Sequence, residues 1–111
     1  MTRKEILENE LKIFLKLIKA GYDPEKVILF GSLAKDQVRE DSDLDLVVIA
    51  ETKQNFWERM KSLRKFNSHK IGMDVLMYTP SEFNNLVNNR TFFRDEVVGN
   101  GVVLYDKSKT S

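Results

Sequence analysis

Short runs of apolar residues alternate along this chain with amphipathic segments that have helical spacing. Each run is bounded by glycine, proline or polar residues, which is typical of a buried strand. The predicted strands are Val27–Phe30, Asp43–Ala50, Met73–Tyr78 and Val102–Tyr105. Helices that alternate with strands favour one sheet with helices packed against it, and a hairpin-like link between the first two strands makes that sheet mixed. We therefore expect an α/β (α+β) fold with a single mixed sheet of about four strands.

The first helix has the clearest start signal in the chain. Thr2 and Glu5 have the spacing of a capping box, and apolar residues then recur with helical period. The pattern predicts a helix over about residues 3–20. Gly21 is the expected C-terminal stop, because glycine adopts the left-handed conformation that ends many helices.

Three further helices are predicted after the second strand. Thr52 is the expected N-cap of the first of them, which should end near Asn67. The next begins with Thr79 as N-cap, Pro80 at the first helical position and Glu82 at the third. Phe83, Leu86 and Val87 supply the apolar face of this helix, and Phe92, Phe93, Val97 and Val98 indicate another short helix. The apolar stripes expected in the core are Phe56, Trp57, Met60 and Leu63 and the pair Phe92 and Phe93.

Length and composition narrow the class of protein. A chain of 111 residues fits one domain, 1–111, with a polar tail from about residue 106 that we expect to fray. Eighteen Lys and Arg against 17 Asp and Glu give no bulk field that would favour nucleic acid or a membrane surface. The absence of cysteine excludes disulfides and thiolate zinc sites, and a single histidine, His69, excludes a multi-histidine centre. No apolar run approaches the ~20 residues that span a bilayer, so we expect a cytoplasmic protein.

Two carboxylates stand at the start of the second predicted strand. Asp43 and Asp45 are two residues apart, so their side chains leave the same face of the sheet, with Cα atoms about 7 Å apart. Asp74 opens the next strand and completes a cluster if the two strands are neighbours. Oxygen ligands of this kind suit Mg²⁺ or Mn²⁺. Each of these residues also has an ordinary interpretation, because aspartate is common in the turns that enter strands.

A glycine and a serine directly follow the first predicted strand. Gly31 permits a sharp turn in which successive backbone N–H groups can face an anion, and Ser32 adds a hydroxyl. The alternative is a glycine that simply ends a strand. Lys35 and Arg39 could add positive charge to a bound triphosphate, or could be solvated loop residues.

The joint pattern is more specific than its parts. Gly31-Ser32, then ten residues, then Asp43-x-Asp45 and a later strand-borne Asp74 resembles the signature of the polymerase-β-like nucleotidyltransferase superfamily. The closer resemblance, over nearly the whole chain, is to its minimal members, which are small proteins often paired with a helical HEPN partner. Two segments carry it, Ile28-Leu-Phe-Gly-Ser32 and Asp41-Ser-Asp-Leu-Asp-Leu46.

The resemblance implies a role for each matching residue. Asp43, Asp45 and Asp74 would bind two Mg²⁺ (or Mn²⁺) ions, and Asp74 would also help to deprotonate the acceptor hydroxyl. The nucleotide, ATP or another NTP, would be held at its phosphates by Gly31 and Ser32, with Lys35 and Arg39 nearby. Attack on the α-phosphorus would transfer a nucleoside monophosphate, AMP from ATP, to an acceptor hydroxyl and release pyrophosphate. Separately, a chain of this size leaves little apolar surface for an enclosed acceptor pocket, so we expect the hydroxyl to belong to a partner protein.

One departure and one alternative accompany this reading. Where many relatives have Ala-Arg-Gly after the Gly-Ser turn, this chain has Ala34-Lys35-Asp36, with an acid near the expected phosphates. The alternative function is that of an antitoxin-like binding module, which would neutralise a helical HEPN-type toxin by contact, with catalysis secondary or vestigial.

Overall fold

The computed structural model describes residues 1–109 of the chain. The regular elements are α1 (Arg3–Tyr22), β1 (Lys26–Phe30), β2 (Leu44–Ile49), α2 (Phe56–Leu63), β3 (Met73–Tyr78), α3 (Pro80–Asn89) and β4 (Val102–Asp106), with 3₁₀ turns at Arg64–Phe66 and Lys107–Lys109 and a π-helix at Phe93–Gly99. No helix within these residues is long and apolar enough to cross a membrane. The order of elements is the predicted one.

The four strands form one mixed sheet in the order β3-β2-β1-β4. β1 pairs with both β2 and β4 in antiparallel fashion, whereas β2 and β3 are parallel. The parallel pair needs a crossover connection, and α2 supplies it. The predicted mixed sheet is therefore confirmed, and β3 lies beside β2, as a cluster that includes Asp74 requires.

The sheet is covered on both faces by different elements. On one face α1 packs through a large apolar core whose fully buried members include Leu7, Phe14, Ile18, Leu44, Leu46, Val48 and Met77. On the other face α3 and the π-helix cover a smaller cluster of Ile28, Phe30, Val47, Ile49, Phe83 and Val97. Alternate residues of each strand point to opposite faces, which explains this division.

The end of α1 differs from the prediction. Gly21 lies inside the helix, and the left-handed residue that ends it is Asp23, at φ 47°. A Cβ on Gly21 would approach the Phe66 ring to 2.9 Å, so the glycine is needed for packing against that ring. Aspartate tolerates the left-handed conformation, and Pro24 follows it directly, where the chain cannot continue as a helix.

The start of α2 also differs from the prediction. Asn55, not Thr52, is the N-cap, and it forms a capping box with Glu58. The Thr52 hydroxyl instead accepts a hydrogen bond from the backbone of Gln54. Both threonine and asparagine suit an N-cap, and the capping glutamate three residues after Asn55 decides between them.

The apolar stripe expected on α2 is only partly buried. Leu63 is in the core, but Phe56 and Trp57 are 48% and 62% exposed, and the side chain buried in mid-helix is Arg59. Phe92 and Val98 are likewise half-exposed. The expectation that Phe56, Trp57 and Phe92 lie in the core is wrong, because the short segments present their neighbours to the sheet instead.

The remaining boundaries follow the sequence closely. β3 has its predicted range, and α3 begins at Pro80 with the Thr79–Glu82 capping box. Where we expect a frayed tail, β4 runs to Asp106, and the backbone N–H of Lys107 donates to the carbonyl of Glu25 at 2.8 Å. Residues 110 and 111, the end of that tail, lie outside the described residues.

Candidate active site

Two of the predicted carboxylates are direct neighbours across the parallel strand pair. Asp45 of β2 is in register with Asp74 of β3, and on its other side Asp45 is in register with Phe30 of β1. Residues in register share a face of the sheet, so the two carboxylates emerge side by side. Asp74 is exposed and Asp45 is partly buried. Asp43 precedes β2 by one residue and is half-exposed.

Burial and two neighbouring carboxylates determine the electrostatics of Asp45. The pKa of Asp45 is raised to about 6, mainly by burial and further by the charge of Asp74, a hydrogen bond to Asp74 and the charge of Asp43. A neighbouring carboxylate disfavours ionisation by like-charge repulsion. A cation bound here would reverse that effect and favour the ionised form.

Asp43 has a partner at the start of α1. Its carboxylate lies 3.7 Å from the Arg3 guanidinium, and Arg3 Nε donates to the carbonyl of Ser42 at 2.9 Å. Arg3 was not among the residues predicted for the site. A basic residue at a helix start carries no distinctive sequence signal, so only the fold brings it here.

Two glycines make room for the carboxylates. Gly31 has φ 81°, and a Cβ built on it would lie 2.1 Å from Asp45 Oδ2. A Cβ on Gly72 would lie 2.7 Å from Asp43 Cγ. Gly31 therefore meets two separate demands, a left-handed backbone and a close approach to Asp45. Gly72 was not among the residues predicted for the site, because its contact with Asp43 joins segments that are far apart in the sequence.

The turn after β1 contains Asp36 in the left-handed conformation. Asp36 has φ 54°, a conformation that glycine adopts freely and that aspartate tolerates. The backbone N–H of Lys35 donates to Gly31 O at 3.2 Å, and that of Gln37 donates to Ser32 O at 2.9 Å. The Asp36 carboxylate pairs with Lys4 of α1 at 3.0 Å, which offsets the negative charge near the expected phosphates.

Neither of the two predicted cationic side chains forms an ion pair with Asp43, Asp45 or Asp74 within residues 1–109. Lys35 Nζ pairs with Glu96 of the π-helix at 3.1 Å. Arg39 is exposed, and its backbone N–H donates to Ser42 Oγ at 2.7 Å. The structure therefore brings Gly31, Asp45 and Asp74 together, with Asp43 at their margin, and gives Lys35 a different partner.

The chemistry of the cluster suits a hard divalent cation. Its donors are carboxylate oxygens, and a bound cation would favour the ionised form of Asp45, whose pKa is raised by burial and by the neighbouring carboxylates. Within residues 1–109, no three side chains of Asp, Glu, His or Cys already form a group arranged to hold a metal ion. The residues fit such an ion by donor type, and Asp43 is the one that has an ion pair to exchange.

A family model described as polymerase beta, nucleotidyltransferase matches residues 7–110. The chain belongs to this nucleotidyltransferase family. The match covers nearly the whole chain, including every residue of the predicted signature. The resemblance inferred from the sequence is thereby confirmed, and the protein is a transferase by family.

Two curated relatives come from Methanocaldococcus jannaschii. The nucleotidyltransferase is 29% identical to "Putative protein adenylyltransferase MJ0141" over 98 residues, which cover 88% of this chain and 94% of the relative. It is 28% identical to "Putative protein adenylyltransferase MJ0604" over 102 residues, which cover 88% and 97% of the two chains. The similarity therefore extends over almost the full length of both relatives.

Solved structures confirm the fold of the nucleotidyltransferase. A putative nucleotidyltransferase from Sulfolobus solfataricus superposes with a TM-score of 0.70 at 17% identity, over 96% of this chain and 86% of that one. A chain from a toxin-antitoxin crystal structure with AMP-PNP superposes with a TM-score of 0.59 at 24% identity, over 91% and 76%. At these identities the likeness shows a shared fold.

Proposed function

We propose that this nucleotidyltransferase transfers AMP from ATP to a hydroxyl group of a partner protein and releases pyrophosphate. The observation that carries the proposal is the register of Asp45 with Asp74, on the face of the sheet that Gly31 approaches. The curated relatives, named as protein adenylyltransferases, support AMP as the transferred group and a protein as the acceptor.

The proposal includes a divalent metal requirement. Asp43, Asp45 and Asp74 would hold Mg²⁺ or Mn²⁺, two ions in all, through carboxylate oxygens. When bound, the ions would neutralise negative charge on the attacking and leaving oxygens of an in-line displacement. Asp45, whose pKa is about 6 without a cation, would then stay ionised at neutral pH.

The chain's own residues would perform the remaining work. Asp74, the exposed carboxylate, accepts the proton from the acceptor hydroxyl. The acceptor oxygen forms a bond to the α-phosphorus as the bond from that phosphorus to the β-phosphate oxygen breaks, and pyrophosphate leaves. The Gly31 backbone N–H and the Ser32 hydroxyl donate to the β- and γ-phosphate oxygens. Lys35 would exchange Glu96 for the triphosphate, and Arg39 would add charge from the loop.

The partner we propose is a helical protein of the HEPN type. Ile13, Leu17 and Trp57 are large apolar side chains that are 43–62% exposed, which supports contact with another protein. The same observation supports the second candidate function, an antitoxin-like module that neutralises a toxin by contact. We also propose a cytoplasmic location, where ATP is available as the donor nucleotide.

Label transfer tests the proposed function. The protein is incubated with ATP labelled at the α-phosphate, Mg²⁺ and a candidate helical partner, and both proteins are separated by electrophoresis. We expect label on the partner. Asp45→Asn should abolish the transfer, whereas Asp41→Asn, a matched change of an exposed aspartate in the loop before β2, should retain it.

Association is measured in parallel by size-exclusion chromatography. A complex that forms without label transfer from any nucleotide would contradict the enzyme proposal and favour the binding module. Labelling of a free alcohol at the same rate without the partner would contradict the protein acceptor.

A further inference from the structure

A small cavity opens directly beside Asp74. It lies between β3 and the C-terminal end of α2 and has a volume of about 150 Å³. Its lining includes the apolar side chains Met60, Leu63 and Met73 and the polar side chains Arg64, Asn67 and Asp74. We call this cavity the β3 groove. Of the residues that line it, only Asp74 has a role in the proposed transfer of AMP.

The sheet order gives the β3 groove a defined place relative to the donor nucleotide. β3 is an edge strand, and β2 separates it from β1. Asp45 therefore lies between Asp74 and Gly31, where the phosphates of ATP are proposed to bind. An in-line displacement needs the attacking and leaving oxygens on opposite sides of the phosphorus. The β3 groove lies on the side of the carboxylates away from Gly31, which is where an acceptor hydroxyl would enter.

The segment that borders the β3 groove has an unusual charge. Residues 59–73 contain five Lys and Arg and no carboxylate, although the whole chain has a formal net charge of only +1. The other residues therefore hold thirteen cationic against seventeen acidic side chains. Positive charge is therefore concentrated in this segment, and its Arg64 lines the β3 groove together with Asp74.

Most of this positive charge is available to a ligand. Arg59 is buried in an ion pair with Glu82, but Lys61, Arg64, Lys65 and Lys70 are exposed and form no ion pair within residues 1–109. Lys61 and Lys65 lie over the rings of Trp57 and Phe66. One carboxylate of α1, Glu10, reaches the segment and accepts from the Ser68 hydroxyl. Exposed cations grouped in this way favour an acidic partner by charge complementarity.

We propose that the β3 groove is the acceptor site and that Arg64, Lys65 and Lys70 bind an acidic segment that flanks the acceptor hydroxyl. This inference rests on the proposed function and specifies its substrate. A cavity of about 150 Å³ holds one benzene-sized ring, which matches a single tyrosine side chain. The lining residues named above are not aromatic, so the β3 groove offers no platform for stacked bases, and a peptide acceptor fits better than a polynucleotide.

Binding of short peptides tests the inference without nucleotide or metal. Three fluorescent peptides each carry one central tyrosine, flanked by glutamates, by glutamines or by lysines, and their affinities are measured by fluorescence anisotropy. We expect the glutamate peptide to bind at least about 5-fold more tightly than the glutamine peptide at low salt, with the lysine peptide weakest. The preference should shrink as salt is added.

Charge reversal locates the binding surface. Arg64→Glu should remove the preference for the glutamate peptide. Lys53→Glu is the matched control, because this exposed lysine follows β2 at the opposite end of the sheet from Asp45. Arg64→Gln should cause an intermediate loss of the preference for the glutamate peptide, and it replaces Arg64→Glu if that variant does not fold. Melting temperatures compared with that of the wild type show whether each variant is folded.

The outcomes separate this inference from the proposed function. Equal affinity for the glutamate and glutamine peptides, or equal losses from Arg64→Glu and Lys53→Glu, would overturn the acidic acceptor even if label transfer occurs. A retained charge preference in binding without label transfer to any peptide would support the binding of an acidic segment at the β3 groove and would count against transfer at that site. Tighter binding of a short oligoadenylate that is itself labelled at its 3′ end would overturn the peptide in favour of a polynucleotide acceptor.

Discussion

The two faces of β2 differ in character at its start, where apolar and acidic residues alternate. Leu44 and Leu46 point toward α1 and are completely buried, whereas Asp45 between them points to the other face and lies next to Asp74. Further along the same strand the second face becomes apolar as well, because Val47 and Ile49 are buried under α3 and the π-helix. The carboxylates are thus confined to one end of one face.

The α1 face of β2 stabilises the fold, whereas the start of its other face carries the carboxylates of the candidate site. Burial of the apolar side chains on the α1 face stabilises the folded protein. Ionisation of Asp45, which is partly buried and close to Asp74, destabilises it when no cation is bound. The strand can tolerate the unfavourable end because its other face is packed throughout. Substitutions on the two faces should therefore have opposite signatures.

The largest expected effect is on the packed face. Leu46→Ala should lower the free energy of unfolding by about 2–5 kcal/mol, since it removes a fully buried side chain and leaves a cavity. Denaturant unfolding measures the loss, and transfer per folded molecule should be unchanged. Leu17→Ala is the matched control on the exposed side of α1 and should cost less than about 1 kcal/mol. Equal losses from the two variants would mean that the α1 face is not the main core.

The carboxylate end should respond in activity instead. Ser32→Ala should reduce kcat/KM for the nucleotide by about 10- to 150-fold, because a charge-assisted hydrogen bond of ~1.5–3 kcal/mol to a phosphate is lost. The melting temperature should stay unchanged. Ser81→Ala, at an exposed position of α3, should leave both quantities unchanged. Full activity of Ser32→Ala would show that the turn after β1 does not hold the phosphates.

Arg59 is a charged residue that we expect to stabilise the fold, unlike the carboxylates at the start of β2. It donates to the carbonyls of Gln54 and Met77 and pairs with Glu82 at 2.6 Å. Arg59→Met should cost about 2 kcal/mol, since the buried Met77 carbonyl loses a donor, while Lys61→Met on the same helix should cost little. Chemical denaturation at pH 7 compares the two.

The Arg59–Glu82 pair also has a pH signature. Its hydrogen bond lowers the pKa of Glu82 below the ordinary 4.5, so the pair stabilises the protein above that pH and the contribution is lost as pH falls through the lowered pKa. Arg59→Met should therefore weaken the loss of stability in acid. If the stability of Arg59→Met and of the wild type fell equally at acidic pH, the pair would contribute nothing to folding.

The smallest expected effect is a gain in stability at the carboxylate end. The pKa of Asp45 is raised in the folded protein, so the folded state holds the proton more tightly and stability falls as pH rises from about 4 to about 6. Without metal, Asp45→Asn should be more stable than the wild type by about 1 kcal/mol at pH 7, after allowance for solvent screening, and equally stable near pH 3. The melting temperature should differ by about 4 °C at pH 7.

Metal reverses this last difference. Mg²⁺ with ATP should raise the melting temperature of the wild type and not that of Asp45→Asn, because a ligand that binds only the folded state stabilises it. A wild-type melting temperature that does not respond to Mg²⁺ or Mn²⁺ with ATP would contradict the assignment of the three carboxylates as ligands.

Local signals in the sequence were sufficient wherever they were explicit. β3 has its predicted range, and α3 starts where Thr79, Pro80 and Glu82 place it, because capping depends on residues a few positions apart. The prediction that Gly21 ends α1 was wrong, because the contact of that residue with the Phe66 ring involves a segment over forty residues away. Phe56 and Trp57 were assigned to the core because their spacing is helical, but spacing does not show which stripe faces the sheet.

The sequence by itself determined the order of elements, the mixed sheet and the pattern of Gly31-Ser32 with Asp43, Asp45 and Asp74 that marks the family. Each of these depends on periodicity or on short spacing along the chain. Only the tertiary structure decided that Asp45 is in register with Asp74, that Asp36 pairs with Lys4, and that a cationic segment borders the groove beside Asp74. These are contacts between distant segments, and they are set by how strands pair and helices pack, which no local pattern encodes.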